Sequence, residues 1–259
     1  MPASPAVRPA LRLLHYWWPV MMGASTALVV QRATARPVNG AGFALLLAGI
    51  LAAYSLDRLL DESDGTETTW LRWTLLAGAA IGVLASAILL AIVPLRVAIL
   101  VPGLAVVVLG YARLKSVPVL KTLLVSAAWT WSLIALPFGD GSWFGWRAWM
   151  TPVAIPLTCL IASGCLLCDL KDVEQDRRRA VASLPVVVGE QGAIAVAVAL
   201  AGVGALISLA ERRPGLLVGG LAMGLAAMRP HVIARDVIGP LVVDVILTIP
   251  GLLIALHLV

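Results

Sequence analysis

Long apolar stretches separated by short polar segments run through the whole chain. A helix needs about 20 predominantly apolar residues to cross the roughly 30 Å hydrocarbon core of a bilayer. By that measure the sequence contains nine candidate spans, at about 12–31, 40–60, 71–93, 95–112, 118–137, 150–169, 191–210, 214–229 and 236–258. The pattern predicts an all-α, polytopic membrane protein with about nine transmembrane helices, forming a single domain over residues 1–259.

Composition and charge support the same class of protein. Of the 259 residues, 61% are hydrophobic and 13% are charged, whereas soluble domains are roughly half apolar and about a quarter charged. The net charge of +5 does not indicate a nucleic-acid partner, because basic residues mark the cytoplasmic loops of membrane proteins. A cytoplasmic N-terminus places thirteen of the 19 Lys and Arg residues inside. We therefore predict a multi-pass protein of the bacterial inner membrane whose partner is the lipid bilayer.

Two groups of aspartates lie at the predicted cytoplasmic ends of even-numbered spans. The spacings of three and four residues within each group put its carboxylates on one helical face. The first group, at the end of the second span, is Asp57, Asp61 and Asp64. The second group, at the end of the sixth span, is Asp169, Asp172 and Asp176. Like charges at this spacing repel each other and are costly to desolvate near a membrane. They are explained either as solvated loop charge or as ligands of a cation.

Magnesium is the cation that fits this pattern best. It is a hard ion that takes a few carboxylates, keeps several waters and commonly bridges to substrate phosphates. Basic residues near both groups could complement phosphate oxygens directly: Arg58, Lys115, Lys171, Arg177 and Arg178. The pattern therefore predicts a site for Mg²⁺ and a diphosphate.

The apolar spans around this site could hold a long hydrocarbon tail. Magnesium stabilises charge on a departing diphosphate, which would leave an allylic carbocation. Aromatic faces such as those of Trp129, Trp131 and Tyr111 could stabilise that cation, although plain helix packing also explains them. The expected substrate is a diphosphate that carries a long, allylic hydrocarbon tail.

The second acidic segment, which runs from Asp169 to Pro185, resembles a motif of the UbiA superfamily of intramembrane prenyltransferases. Members typically read D-x-x-D-x-x-x-D-R-x-x-G-x-x-T-L-P, and this chain reads "DLKDVEQDRRRAVASLP" from Asp169, with Ala180 for Gly and Ser183 for Thr. "YARLK" is similar to the family's Y-x-x-x-K segment through Tyr111 and Lys115. The resemblance covers essentially the whole chain and implies a helical bundle around a central cavity.

The first motif departs from the family pattern N-D-x-x-D-x-x-x-D. Ala53 and Tyr54 stand at its first two positions, while Asp57 and Asp61 match the later aspartates. The resemblance implies that Asp57 and Asp61 hold one magnesium and that Asp172 and Asp176 hold another, these four being the catalytic residues. It also implies diphosphate binding; the candidates for that role are Lys115, Arg177, Arg58 and Tyr111.

Three functions remain open at this point. The first is prenyl transfer to a lipophilic acceptor, expected to be aromatic, and the second is a UbiA-type terpene cyclase that needs no acceptor. The third is a non-catalytic member that binds an isoprenoid lipid. Asp244, midway along the ninth span, could orient an acceptor or take up its proton, or it could form a helix-packing hydrogen bond.

Overall fold

A computed structural model describes residues 7–61, 69–104, 106, 117, 120–138, 145–178, 181–235 and 237–258. The described residues are helical, with turns between the helices, and contain no β-strand. Tyr111, Lys115 and Asp64 lie outside these ranges.

The apolar runs form the helices. The long ones are α1 (Val7–Thr34), α2 (Gly40–Asp61), α3 (Thr69–Leu90), α4 (Leu95–Leu104, with a turn at Ile99), α5 (Leu120–Ala135), α6 (Ala154–Asp169), α8 (Leu184–Ala210), α9 (Pro214–Ala227) and α11 (Ile238–Ala255). Short elements complete the order: 3-10 turns at Gly145–Met150 and Leu170–Asp172, α7 (Val173–Arg178) after the second of these, and α10 (Pro230–Ile233) before α11.

The helices pack side by side into one bundle. α1 contacts α2, α5 and α11, while α6 contacts α5, α8, α9 and α11. α3 packs mainly against α2, so much of its surface faces away from the bundle. The buried core is almost wholly aliphatic, with Leu133, Leu157, Leu167 and Met223 among its fully buried side chains.

Every predicted span overlaps an apolar helix in the described part of the chain, although most of the second half of the span at 95–112 lies outside the described residues. Six of these helices are long and apolar enough to cross a membrane, which makes the chain a multi-pass membrane protein. Three others are shorter, at Leu95–Leu104, Leu120–Ala135 and Pro214–Ala227. The count of nine crossings therefore remains a prediction, because it depends on these three.

The seventh span begins earlier than expected. We predicted its start at residue 191, but α8 begins at Leu184 with Pro185 in its first turn. Proline is tolerated there because the first backbone N–H groups of a helix have no intrahelical acceptor. Gly189, at φ 78° and ψ 160°, is not helical and separates a short first part of α8 from the long part that follows it. The predicted start at residue 191 therefore lies close to the start of the long part.

Candidate functional site

The second acidic segment continues directly from the end of a membrane-spanning helix. α6 ends at Asp169, the following 3-10 turn carries Asp172, and α7 carries Asp176. Because this run stays helical, spacings of three and four residues keep the carboxylates on one side. Asp172 and Asp176 both lie close enough to Asp169 to interact with it electrostatically.

Asp169 is held by an ion pair with a neighbouring helix. Lys121, in the first turn of α5, donates a hydrogen bond from Nζ to Asp169 Oδ1 at 2.6 Å. Asp169 is buried, with 6% of its surface exposed. A buried carboxylate without a partner would cost several kcal/mol, so Lys121 both neutralises Asp169 and joins α5 to the end of α6.

Asp172 and Asp176 have oxygens suited to a cation. Lys171 bonds to Asp172 Oδ1 at 2.9 Å. Asp176 keeps Oδ2 buried, with no hydrogen-bond partner among the described residues, an arrangement that suits a bound cation. Within the described residues no three His, Cys, Asp or Glu side chains come together as a metal-binding group. The residues present fit magnesium held by one or two carboxylates and by phosphate oxygens.

The first acidic group occupies the last turns of α2. Asp57 is exposed, and Asp61 is the final residue of the helix. Tyr54, one turn before Asp57, packs its ring edge-on against Trp129 of α5, with 5.9 Å between the ring centres. This side of α2 therefore faces α5, the helix that carries Lys121. Tyr54 occupies the position of the first aspartate in the pattern N-D-x-x-D-x-x-x-D.

Two of the expected diphosphate ligands have partners within the protein. Arg177 bonds to Glu174 at 2.7 Å on the exposed side of α7. Arg58 points towards α1, where Nη2 lies 3.4 Å from His15 Nε2 and the guanidinium stands 5.7 Å from the centre of the Tyr16 ring. The other two candidates, Tyr111 and Lys115, are outside the described residues.

A second polar group lies inside the bundle between α1, α2 and α11. His15 Nδ1 is 3.6 Å from Asp244 Oδ2, and the two residues keep only 6% and 8% of their surfaces exposed. Asp244 interacts electrostatically with Arg58, and also with Tyr54 and Cys168, so it lies between the helices that carry the two acidic groups.

Sequence reasoning did not assign His15 or Lys121 to any site. Each is an isolated polar residue in an apolar helix, and its partner lies on another helix far along the chain. The available signal was the cost of placing an ionisable group in a membrane span, which draws attention to such residues without naming their partners.

The fold and these carboxylates define a class: multi-pass helical membrane proteins with acidic residues at the ends of interior helices. A model of the UbiA prenyltransferase family matches residues 16–237, and the chain belongs to that family. A search among curated proteins found no match to this chain.

A solved structure shares the fold. The apo structure of a UbiA homolog from Aeropyrum pernix K1 superimposes with a TM-score of 0.70, covering 93% of this chain and 98% of that one. The two sequences are 15% identical. This likeness establishes the all-helical UbiA-type architecture and leaves the chemistry to be argued from the residues of this chain.

Proposed function

We propose that this protein is a magnesium-dependent intramembrane prenyltransferase. It would move an isoprenyl group from an isoprenyl diphosphate to a lipophilic acceptor, expected to be aromatic. The observation that carries the proposal is Asp176 Oδ2, which is buried, lies close to Asp172 in sequence and has no hydrogen-bond partner among the described residues, in a chain of the UbiA prenyltransferase family. A buried anionic oxygen of this kind is stabilised by a bound cation.

The proposed roles follow from these positions. Asp172 and Asp176 would hold one magnesium and Asp57 and Asp61 would hold a second, while Asp64 and Asp169 are further candidate ligands. Bound magnesium supplies neutralising charge to the diphosphate as it departs. The chain's own contribution is to bind and orient the diphosphate; the residues proposed for this are Lys115, Arg177, Arg58 and Tyr111. The ends of α2 and α6 would face the cytoplasm in the inner membrane.

Diphosphate release tests this function. The protein, purified and placed in lipid nanodiscs, would receive geranylgeranyl or farnesyl diphosphate and candidate aromatic acceptors, with and without Mg²⁺. Magnesium-dependent release and a prenylated acceptor are the expected results. Asp176→Asn should lower the rate by about 100-fold or more, because metal stabilisation of the leaving group is worth several kcal/mol.

Glu211→Gln is the control. Glu211 is an exposed carboxylate that follows the last residue of α8, at the end of that helix remote from the acidic segment, so the rate of this variant should stay close to that of the wild type. Equal rates for Asp176→Asn and the wild type would refute the assigned role. Lipid binding without diphosphate release under any condition would indicate the non-catalytic alternative.

A terpene cyclase is the second candidate, and the Tyr54–Trp129 ring pair favours it. Both rings are partly buried within the bundle, where their faces could stabilise a carbocation during ring closure. The products separate the two functions. A cyclic hydrocarbon formed without any acceptor would establish the cyclase, whereas release that requires an acceptor would establish the transferase.

A further inference from the structure

The second acidic segment offers two neighbouring pairs of carboxylates to a metal ion. Asp169 and Asp172 are three residues apart, and Asp172 and Asp176 are four residues apart, so each pair lies on one side of the helical run. Asp172 belongs to both pairs. The position of the metal therefore depends on whether Asp169 or Asp176 is available as the other ligand.

Asp169 is already engaged by an ammonium group. Lys121 Nζ lies 2.6 Å from Asp169 Oδ1, and the two side chains are mostly enclosed, with 22% and 8% of their surfaces exposed. Such a pair resists separation, because each charge would be left without water or a partner. A metal ion on the same oxygen would lie within about 5 Å of the ammonium nitrogen and would be repelled by it. Asp169 is therefore closed to a second cation.

The other pair remains open to a metal. Asp176 Oδ2 is buried and has no hydrogen-bond partner among the described residues. Asp172 Oδ1 lies 2.9 Å from Lys171 Nζ, but 33% of the Asp172 side chain is exposed. Water can solvate this carboxylate, so exchanging the lysine for a metal costs less there than at Asp169. The structure thus favours Asp172 and Asp176 over Asp169 and Asp172.

The helix that carries Lys121 does not by itself account for this lysine. Lys121 is in the first turn of α5, at the end of a helix where backbone N–H groups carry partial positive charge and basic side chains are disfavoured. The apolar surroundings of a membrane helix add a further cost for an enclosed ammonium group. The contact with Asp169 offsets both costs, so the position of Lys121 is explained by its effect on that carboxylate.

We propose that Lys121 is a built-in cation that selects the metal ligands of the second acidic segment. It occupies Asp169 and thereby confines the metal to Asp172 and Asp176. The proposal rests on the magnesium site of the proposed function and removes Asp169 from the candidate ligands of that site. Lys121 is a positioning residue, because it acts on the metal through Asp169 and not by direct contact.

This selection sets the depth of the metal in the protein. Asp169 is the last residue of α6, whereas Asp172 and Asp176 lie beyond the end of that helix. The midpoints of the two pairs are three to four residues apart, which corresponds to about 5 Å along a helix. A diphosphate bound to the metal would move by the same amount. Lys121 thus determines how far from the interior of the bundle the diphosphate is held.

Binding of Mn²⁺ tests the choice of ligands without any reaction. Mn²⁺ takes the same oxygen ligands as Mg²⁺, and the electron paramagnetic resonance signal of free Mn²⁺ shows how much has bound. The protein would be placed in phosphatidylcholine nanodiscs, with empty nanodiscs as the blank. Asp176→Asn should weaken Mn²⁺ binding about tenfold or more. Adding Lys121→Met to that variant should restore binding to within about threefold of the wild type, because Asp169 becomes available.

Further variants identify the ligand in the restored site. Asp169→Leu, added to Lys121→Met and Asp176→Asn, should abolish the restored binding, which separates a new ligand from the mere loss of a positive charge. Lys121→Arg with Asp176→Asn keeps the charge pair and should bind as weakly as Asp176→Asn alone. Asp172→Asn should weaken binding with or without Lys121, because Asp172 belongs to both pairs. Lys121→Gln can still donate a hydrogen bond to Asp169 and serves as a second neutral variant if Lys121→Met does not fold.

The outcomes separate this proposal from the function on which it rests. Restored binding that persists after Asp169→Leu would overturn the selection by Lys121, and so would a failure of both neutral variants to restore binding. Neither result would contradict the transferase. The expected pattern of Mn²⁺ binding without any diphosphate release from an isoprenyl diphosphate would support the selection and contradict the transferase. A wild-type protein that binds no Mn²⁺ would overturn both proposals.

Discussion

At the scale of single residues, the ion pair between Lys121 and Asp169 fixes the first residue of the second acidic segment against α5. The 2.6 Å bond joins α5 to the last residue of α6 and encloses a buried carboxylate. Removing one member of such a pair leaves the other charge unsatisfied, which usually costs more than the intact pair contributes. The pair is therefore expected to matter for stability and for the placement of Asp172.

Lys121→Met should lower the free energy of unfolding by about 3 kcal/mol, because it leaves Asp169 buried without a counter-charge. The measurement is reversible unfolding of the purified protein in detergent. The double variant Lys121→Met, Asp169→Leu is the control. It removes both charges and should recover most of the lost stability. A double variant as unstable as the single one would show that the ion pair is not the cause.

The residues of the acidic segment could be predicted locally, and their partners could not. Asp169, Asp172 and Asp176 repeat at helical spacing, so their shared face follows from the sequence alone. The contacts of Lys121 and His15 depend on how helices distant in sequence are rotated against each other. An apolar sequence all around a helix does not encode that rotation in its periodicity.

At the scale of helices, the close packing of α2 against α3 depends on small residues. A Cβ atom built at Gly82 would lie 2.6 Å from the backbone nitrogen of Ala52 and 2.8 Å from the carbonyl oxygen of Ala48. Small residues at a membrane helix interface allow backbones to approach this closely. Because the obstructing atoms are backbone atoms, a larger side chain at this position would force the helices apart.

Gly82→Leu should therefore destabilise the protein by about 3 kcal/mol through overpacking. Gly202→Leu is the matched control, since a Cβ at Gly202 in α8 meets nothing within 4 Å. Its effect should stay within about 0.5 kcal/mol. Thermal unfolding of both variants in the same detergent makes the comparison. Similar melting temperatures for the two would contradict the close approach of α2 and α3.

The existence of the helices was predictable because a bilayer requires long apolar runs and internal backbone hydrogen bonds. The ends of the helices were less predictable from the sequence. The start of α8 at Leu184 depends on a proline in its first turn and on a glycine kink, and both residues equally suggest a loop. The resemblance to the UbiA family added the bundle arrangement, which hydrophobic patterning alone does not determine.

At the scale of the whole molecule, the number of membrane crossings depends on the shorter apolar helices. α9 has 14 residues, which at 1.5 Å per residue gives a length of about 21 Å. This is shorter than the roughly 30 Å hydrocarbon core. A short helix can still cross if the bilayer thins locally and flanking basic side chains extend to the interface. Arg213 precedes α9 and Arg229 follows it.

Single cysteines on either side of α9 test both the crossing and the orientation of the protein. In a background with Cys159, Cys165 and Cys168 replaced by alanine, Arg212→Cys should react with a membrane-impermeant maleimide in intact cells. Arg229→Cys should react only after permeabilisation, because nine crossings with the N-terminus inside put it in the cytoplasm. Labelling of both sites from the same side would mean that α9 does not cross. The reverse pattern would place the acidic segments outside the cell and contradict the orientation derived from the Lys and Arg distribution.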